Sequence, residues 1–315
     1  MAEAKRIATR EAYGKALVEF GAQNPDIVVL DADLAGSTKT AMFRDAYPDR
    51  HFNCGIAEAN MMGVAAGLAA AGKIAFASSF AMFAAGRAYE QIRNSIAYPK
   101  LNVKIGATHA GISVGEDGAS HQCLEDIALM RDLPNMVVMN PADAVEAREV
   151  VKAAIEHDGP VYMRFGRLAV PVVNDKPDYH FEIGKGEMLK EGTDVTILAT
   201  GLCVAAAIDA LPLLAEHGIN AELINICTIK PLDEDIILRS AAKTHRVVTA
   251  EEAWISGGLG GAVAELLSEK LPTKMKRIGI GDRFGESGPA LELLDKYGLT
   301  GSGIAHTVEG FVQQQ

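Results

Sequence analysis

His51-Phe-Asn-Cys-Gly-Ile-Ala-Glu58-Ala-Asn-Met-Met-Gly63-Val-Ala-Ala-Gly67-Leu-Ala is a polar turn followed by a long run of small and apolar residues with a single acid, Glu58. Alanine, methionine, leucine and glycine at near-helical spacing describe a helix packed on several sides, with Gly63 and Gly67 allowing close approach. The carboxylate at its start has two readings. One is a helix-end acid favoured by the positive end of the helix dipole. The other is a buried acid kept for proton chemistry, because a lone buried carboxylate is costly unless it gains a partner or a proton.

The segments on either side share one plan, an apolar strand, a polar loop and a helix. Upstream, an amphipathic helix runs from Thr9 to about Ala22 and carries Arg10 near its start. Ile27-Val-Val-Leu30 then leads into Asp31-Ala-Asp33-Leu-Ala-Gly-Ser37-Thr. Downstream, Ile74–Ala77 is a strand, and Ser78-Ser-Phe80-Ala-Met-Phe83 enters a helix that reaches about Tyr98. Val103–Thr108 feeds His109-Ala-Gly-Ile-Ser-Val-Gly-Glu-Asp117-Gly-Ala-Ser-His121-Gln, a connection too long and too rich in glycine to be a plain turn. Met136–Met139 and Val161–Arg164 add strands around a helix beginning near Asp143. Strands alternating with helices give a parallel, doubly wound sheet, which gathers ligands at the C-terminal ends of its strands.

Pro171, Asn174, Pro177, Gly184 and Gly186 interrupt this pattern, and a second strand–helix series follows: Val195–Ala199, Ala221–Ile226, Arg246–Ala250 and Lys276–Ile280. The expectation is therefore an α/β protein of two doubly wound domains, residues 1–170 and a smaller 188–315, joined by a linker over 171–187. With 315 residues each domain is large enough for its own core. A formal charge of −11 argues against nucleic acid and against an anionic membrane surface as partners. Cys54, Cys123, Cys203 and Cys227 form no CxxC pair, and no run reaches membrane-spanning length. An opening Met-Ala-Glu-Ala-Lys-Arg without an apolar core points to the cytoplasm.

Gly-Ile-Ala-Glu58-x-x-Met-x-x-x-Ala-x-Gly-Leu resembles the pyrimidine-domain motif of thiamine-diphosphate enzymes of the transketolase superfamily. That window would also suit deoxyxylulose-phosphate synthases and the beta subunits of 2-oxo acid dehydrogenases. Thr196-Ile-Leu-Ala-Thr-Gly201, Ile229-Lys-Pro-Leu-Asp, Glu251-Glu-Ala-Trp254-x-x-Gly-Gly-Leu-Gly and Gly281-Asp-Arg-Phe-Gly-Glu-Ser287 resemble the transketolase C-terminal domain. The resemblance covers nearly the whole chain.

What the resemblance implies is specific. Glu58 would hydrogen-bond N1′ of the cofactor's aminopyrimidine ring and favour the tautomer that activates it, with Ile56, Phe80 and Phe83 around the ring and Asp33 on the thiazolium side. Arg10, Ser37 and Arg167 match the set that binds the phosphate of a sugar phosphate. His109, Asp117 and His121 match residues that contact the substrate's hydroxyls and phosphate, and His121 joins Glu58 in the catalytic set. Two departures stand out: Ala59-Asn60-Met61 replaces the His-x-Met that most transketolases have after the acid, and Ala77 stands where a further aromatic often sits. The Gly-Asp-Gly…Asn motif that holds the diphosphate and Mg²⁺ is missing, Glu116-Asp117-Gly118 with Asn140 being a poor match in both residue type and spacing. The resemblance thus implies the C-terminal subunit of a split transketolase of the pentose phosphate pathway type, with no metal ligands of its own. It would assemble with an N-terminal partner subunit as a heterotetramer and transfer a two-carbon ketol unit between sugar phosphates. The alternatives are a 2-oxo acid dehydrogenase beta subunit, a split transketolase for an unusual sugar, or a non-catalytic partner-binding scaffold.

Overall fold

The computed structural model describes residues 5–177 and 179–314. In chain order its strands are β1 (Arg6–Ala8), β2 (Ile27–Asp31), β3 (His51–Asn53), β4 (Ile74–Phe80), β5 (Val103–Thr108), β6 (Val137–Met139), β7 (Val161–Arg164), β8 (Ala169–Pro171), β9 (Glu187–Lys190), β10 (Val195–Ala199), β11 (Ala221–Asn225), β12 (Thr228–Lys230), β13 (Arg246–Trp254) and β14 (Lys274–Ile280). They build two main sheets. The first has the order β12-β6-β7-β5-β4-β2-β3 and the second β14-β13-β10-β11-β9. Within the first, β2 to β7 pair in parallel, and β12 joins antiparallel to β6. The second is parallel apart from β9, which runs antiparallel to β11. Runs such as Ile27–Asp31, Val103–Thr108 and Val195–Ala199 are buried at every position. Helices cover both faces of such a strand, so its burial is continuous rather than alternating.

Because β2 to β5 are parallel, the segments after them leave the sheet at one edge. Those segments carry Asp33 and Ser37, Ile56 and Glu58, Phe83, and His109 to His121. Arg10 reaches the same edge from the helix Thr9–Gln23, which begins directly after β1.

Three local expectations change. The helix Glu58–Ala70 buries Glu58, Met61, Met62, Ala65 and Ala66 on one side only. Its other side, Asn60, Gly63, Val64 and Gly67, is exposed, and a Cβ on either glycine would meet nothing within 4 Å. Helical periodicity separates the two faces, and no described element of this chain covers the second. The single helix expected up to Tyr98 is wound wide over most of its length, with π-helical turns at Met82–Arg87 and Ile92–Ala97 flanking Tyr89–Gln91. Such widened turns bring Phe83 and Arg87 to one side. The segment 171–187 is tied down at both ends. Its start lies on β8, paired with β1, and its end opens β9. Between them, the Asp143 carboxylate accepts from Val173 N and Asn174 N at 2.7 Å each while capping the helix Ala144–Glu156.

No helix among the described residues is long and apolar enough to cross a membrane.

Candidate active site

A chain of contacts runs along the C-terminal edge of the first sheet. Glu58, 1% exposed, accepts from Arg87 Nη1 through both carboxylate oxygens, at 2.9 and 2.8 Å. The Arg87 guanidinium carbon lies 4.6 Å from the centre of the Phe83 ring. Phe83 stacks on Phe80 at 5.8 Å and meets the edge of His121 at 5.3 Å. Phe80 stacks on His109 at 3.8 Å. His109 Nε2 sits 3.2 Å from Arg10 Nη1, which also donates to the Ser37 carbonyl at 2.8 Å. An arginine cannot accept, so His109 Nε2 is the acceptor. Its Nδ1 then carries the proton and faces Thr108 Oγ1 at 2.9 Å.

Electrostatics agree that the ring is neutral. Burial pushes the His109 imidazole down to about 3, and Arg10, Arg167, His121 and Lys39 push it the same way. Burial and the charge of Arg167 also lower the Arg10 guanidinium. Three cations therefore gather around a neutral imidazole. The Arg10 Nε–H is buried and donates to nothing among the described residues. Arg167 Nη1 donates to the Val114 carbonyl at 2.6 Å and to the exposed Glu116 carboxylate at 3.0 Å. Lys39 has a left-handed backbone, φ 72°, and closes tightly over Gly14, where an added Cβ would meet the Lys39 carbonyl oxygen at 2.6 Å. Only glycine leaves room for that approach.

The remaining expected residues stand around this cluster. Asp33 is exposed, left-handed at φ 64°, and bonded through its amide and carboxylate to Asn53 at 3.2 and 3.3 Å. Ile56 is 77% exposed just before Glu58. Asp117 is exposed at the end of a short 3₁₀ turn, Ile112–Asp117, and its side chain makes no hydrogen bond or ion pair to the cluster among the described residues. Ser37 takes part through its carbonyl.

Sequence reasoning missed Arg87, Lys39 and the anchor of the histidine loop. The anchor comes from the second sheet. Glu252 on β13 accepts from Ser113 N at 2.5 Å and lies against Gly111, whose φ is 86° and whose added Cβ would fall 2.3 Å from the carboxyl carbon. Arg164 donates to Asp126 at 2.8 Å and to the carbonyls of Cys123 and Glu252. Gln122 donates to the carbonyl of Glu286 at 2.8 Å. The second domain thus holds both ends of the loop that carries His109 and His121.

Residues 5–172 match the family model of the transketolase pyrimidine-binding domain, and residues 184–304 that of the transketolase C-terminal domain. A Methanocaldococcus jannaschii protein named as a transketolase C-terminal section is 55% identical, with 95% of this chain and 94% of that protein covered. The 6-deoxy-6-sulfo-D-fructose transketolase subunit of a Clostridium species is 45% identical, covering 95% of this chain and 94% of its own. A solved structure described as a split gene transketolase, inactive beta4 tetramer, superposes with a TM-score of 0.90 at 56% identity, over 97% of this chain and 98% of that one. Two family models in the same order, filling most of the α/β architecture described above, and close relatives along nearly their whole length lead to one conclusion: this chain belongs to the transketolase family.

Proposed function

We propose that this chain is the C-terminal subunit of a two-chain transketolase that transfers a two-carbon ketol unit from a ketose phosphate to an aldose phosphate. The observation that carries this reading is the set of Arg10, Lys39 and Arg167 around the neutral His109, next to the Phe80–Phe83 pair. Half-buried guanidinium donors whose one carboxylate partner is the exposed Glu116 suit a phosphate or sulfonate dianion. A 2-oxo acid dehydrogenase beta subunit would have no use for such a set. The Clostridium relative, named for a sulfonated ketose, fits the same anionic chemistry, so a less common sugar with one anionic end is the second reading.

The residues also fit thiamine diphosphate. Its pyrimidine ring calls for a carboxyl group at one edge and an aromatic face, and Glu58 and Phe83 lie on either side of the Arg87 guanidinium. When bound, that cofactor supplies the carbon nucleophile that carries the two-carbon unit. Glu58 holds a proton at the N1′ edge, while Ile56, Phe80 and Phe83 bound the ring and exclude water from it. Asp33 faces the thiazolium side. His109, His121 and Asp117 meet the sugar hydroxyls, and Arg10, Ser37 and Arg167 hold its anionic end. The diphosphate and Mg²⁺ ligands come from an N-terminal partner subunit. The uncovered face of the helix Glu58–Ala70, which includes Val64, with exposed Phe52 and Ile56 beside it, is the contact we assign to that partner. Two copies of each chain make a heterotetramer, acting in the cytoplasm.

The test is reconstitution. The purified chain alone should not turn over, and adding a chain that carries Gly-Asp-Gly…Asn should create ketol transfer dependent on Mg²⁺ and thiamine diphosphate. Robust activity of the single chain would refute the divided site, and an inert mixture that still assembles would favour a scaffold.

A further inference from the structure

Glu58 has one hydrogen-bond partner among the described residues, Arg87. A single guanidinium nitrogen reaches both carboxylate oxygens, so the open edge of the carboxylate faces the arginine. The two residues differ sharply in exposure, Glu58 at 1% and Arg87 at 51% of the side chain. The arginine is therefore the outer wall of the space in front of the acid. It ends the π-helical turn Met82–Arg87, and its guanidinium lies over the ring of Phe83 on that same turn. A cation thus covers the two surfaces that a flat, proton-accepting ring would need, the carboxyl edge and the aromatic face.

We propose that Arg87 is a latch on Glu58, closed in the chain without cofactor and displaced when the pyrimidine edge docks. This rests on the reading of Glu58 as the group that meets that ring. In the closed state the arginine spares the chain an unpaired buried carboxylate. The arginine donates to this carboxyl edge, whereas an unprotonated ring nitrogen accepts from it, so the one edge cannot serve both partners at once. The half-exposed arginine can leave, because its guanidinium regains water as it swings out, and the buried glutamate cannot. Arg87 is a positioning residue that acts through Glu58.

Calorimetric titration of the assembled two-chain protein with thiamine diphosphate and Mg²⁺ tests the latch. Arg87→Gln keeps a donor for Glu58 but removes the charge, and it should bind the cofactor about fivefold more tightly than wild type, the scale of one half-exposed ion pair. Arg87→Lys should restore the wild-type constant. Weaker binding by Arg87→Gln would overturn the latch and make Arg87 a cofactor contact. Wild-type protein labelled with ¹³C at glutamate carboxyls, with the Glu58 signal assigned through Glu58→Gln, gives a second readout that needs no folded Arg87 variant. The signal should move to the protonated position on cofactor addition, and an unmoved signal would overturn the proposal. The underlying reading fails separately, if Glu58→Gln binds and activates thiamine diphosphate as wild type does.

Discussion

At the scale of single residues, the cationic pocket gives the sharpest expectation about substrate. Arg167 is half-exposed and shares one nitrogen between the Val114 carbonyl and Glu116, so it can turn toward an anion at small cost. Arg167→Ala should raise KM for phosphorylated acceptors, lowering kcat/KM by roughly 10²-fold, the value of one charge-assisted contact. Unphosphorylated acceptors should change little, and steady-state kinetics on matched pairs of sugars make the comparison. An equal effect on both would remove Arg167 from the pocket. Most of this cluster was legible because its members sit in recognisable motifs at strand ends. Arg87 and Lys39 were not. Arg87 reaches Glu58 across 29 positions of sequence, and Lys39 gains its place from a left-handed backbone over Gly14, which residue type alone does not reveal.

At the scale of elements, β13 carries two adjacent buried acids with different tasks. Glu251 accepts from Leu259 N and Gly260 N at 2.7 Å each, at the start of the helix Leu259–Lys270, and Glu252 holds the histidine loop. Burial pushes both carboxyls up to about 7 from an ordinary 4.5. Between those values the folded chain retains protons that the unfolded chain has released, so stability from these groups is present at the acid end and is lost as pH rises toward 7. His109 works the other way, its share being lost as pH falls from 6.5 toward 3. Urea unfolding of Glu252→Gln beside wild type, across pH 5 to 7, should therefore show a smaller decline in stability with rising pH in the variant, and parallel curves would contradict this assignment. The run Glu251-Glu252 was read as a family signature in the sequence. Its role in anchoring a loop of the other domain depends on the packing of the two sheets, which no local pattern encodes.

At the scale of the molecule, the alternation of strands and helices was sufficient to give two parallel sheets, since strands buried on both faces stand out as apolar runs. The short strands were harder. β1, β3, β8 and β12 have three residues each and none is buried throughout, whereas β6, of the same length, is a fully buried apolar run. The exposed face of the helix Glu58–Ala70 reads in sequence like a buried surface, because small and apolar residues stand on both of its faces.

The antiparallel pairing of β12 with β6 bears on the order in which the polypeptide can mature. The outermost strand of the first sheet comes from residues 228–230, so a ribosome must make roughly the first third of the second domain before that margin is sealed. A nascent or proteolysed fragment ending near residue 185 would present β6 as a bare, apolar edge, the kind of template on which chains pair with one another. Residues 5–185 expressed alone should self-associate, and light scattering should show less of it when the fragment is extended past Lys230. A monodisperse short fragment would mean that the margin is protected in some other way. The boundary between the domains is thus a poor place to cut.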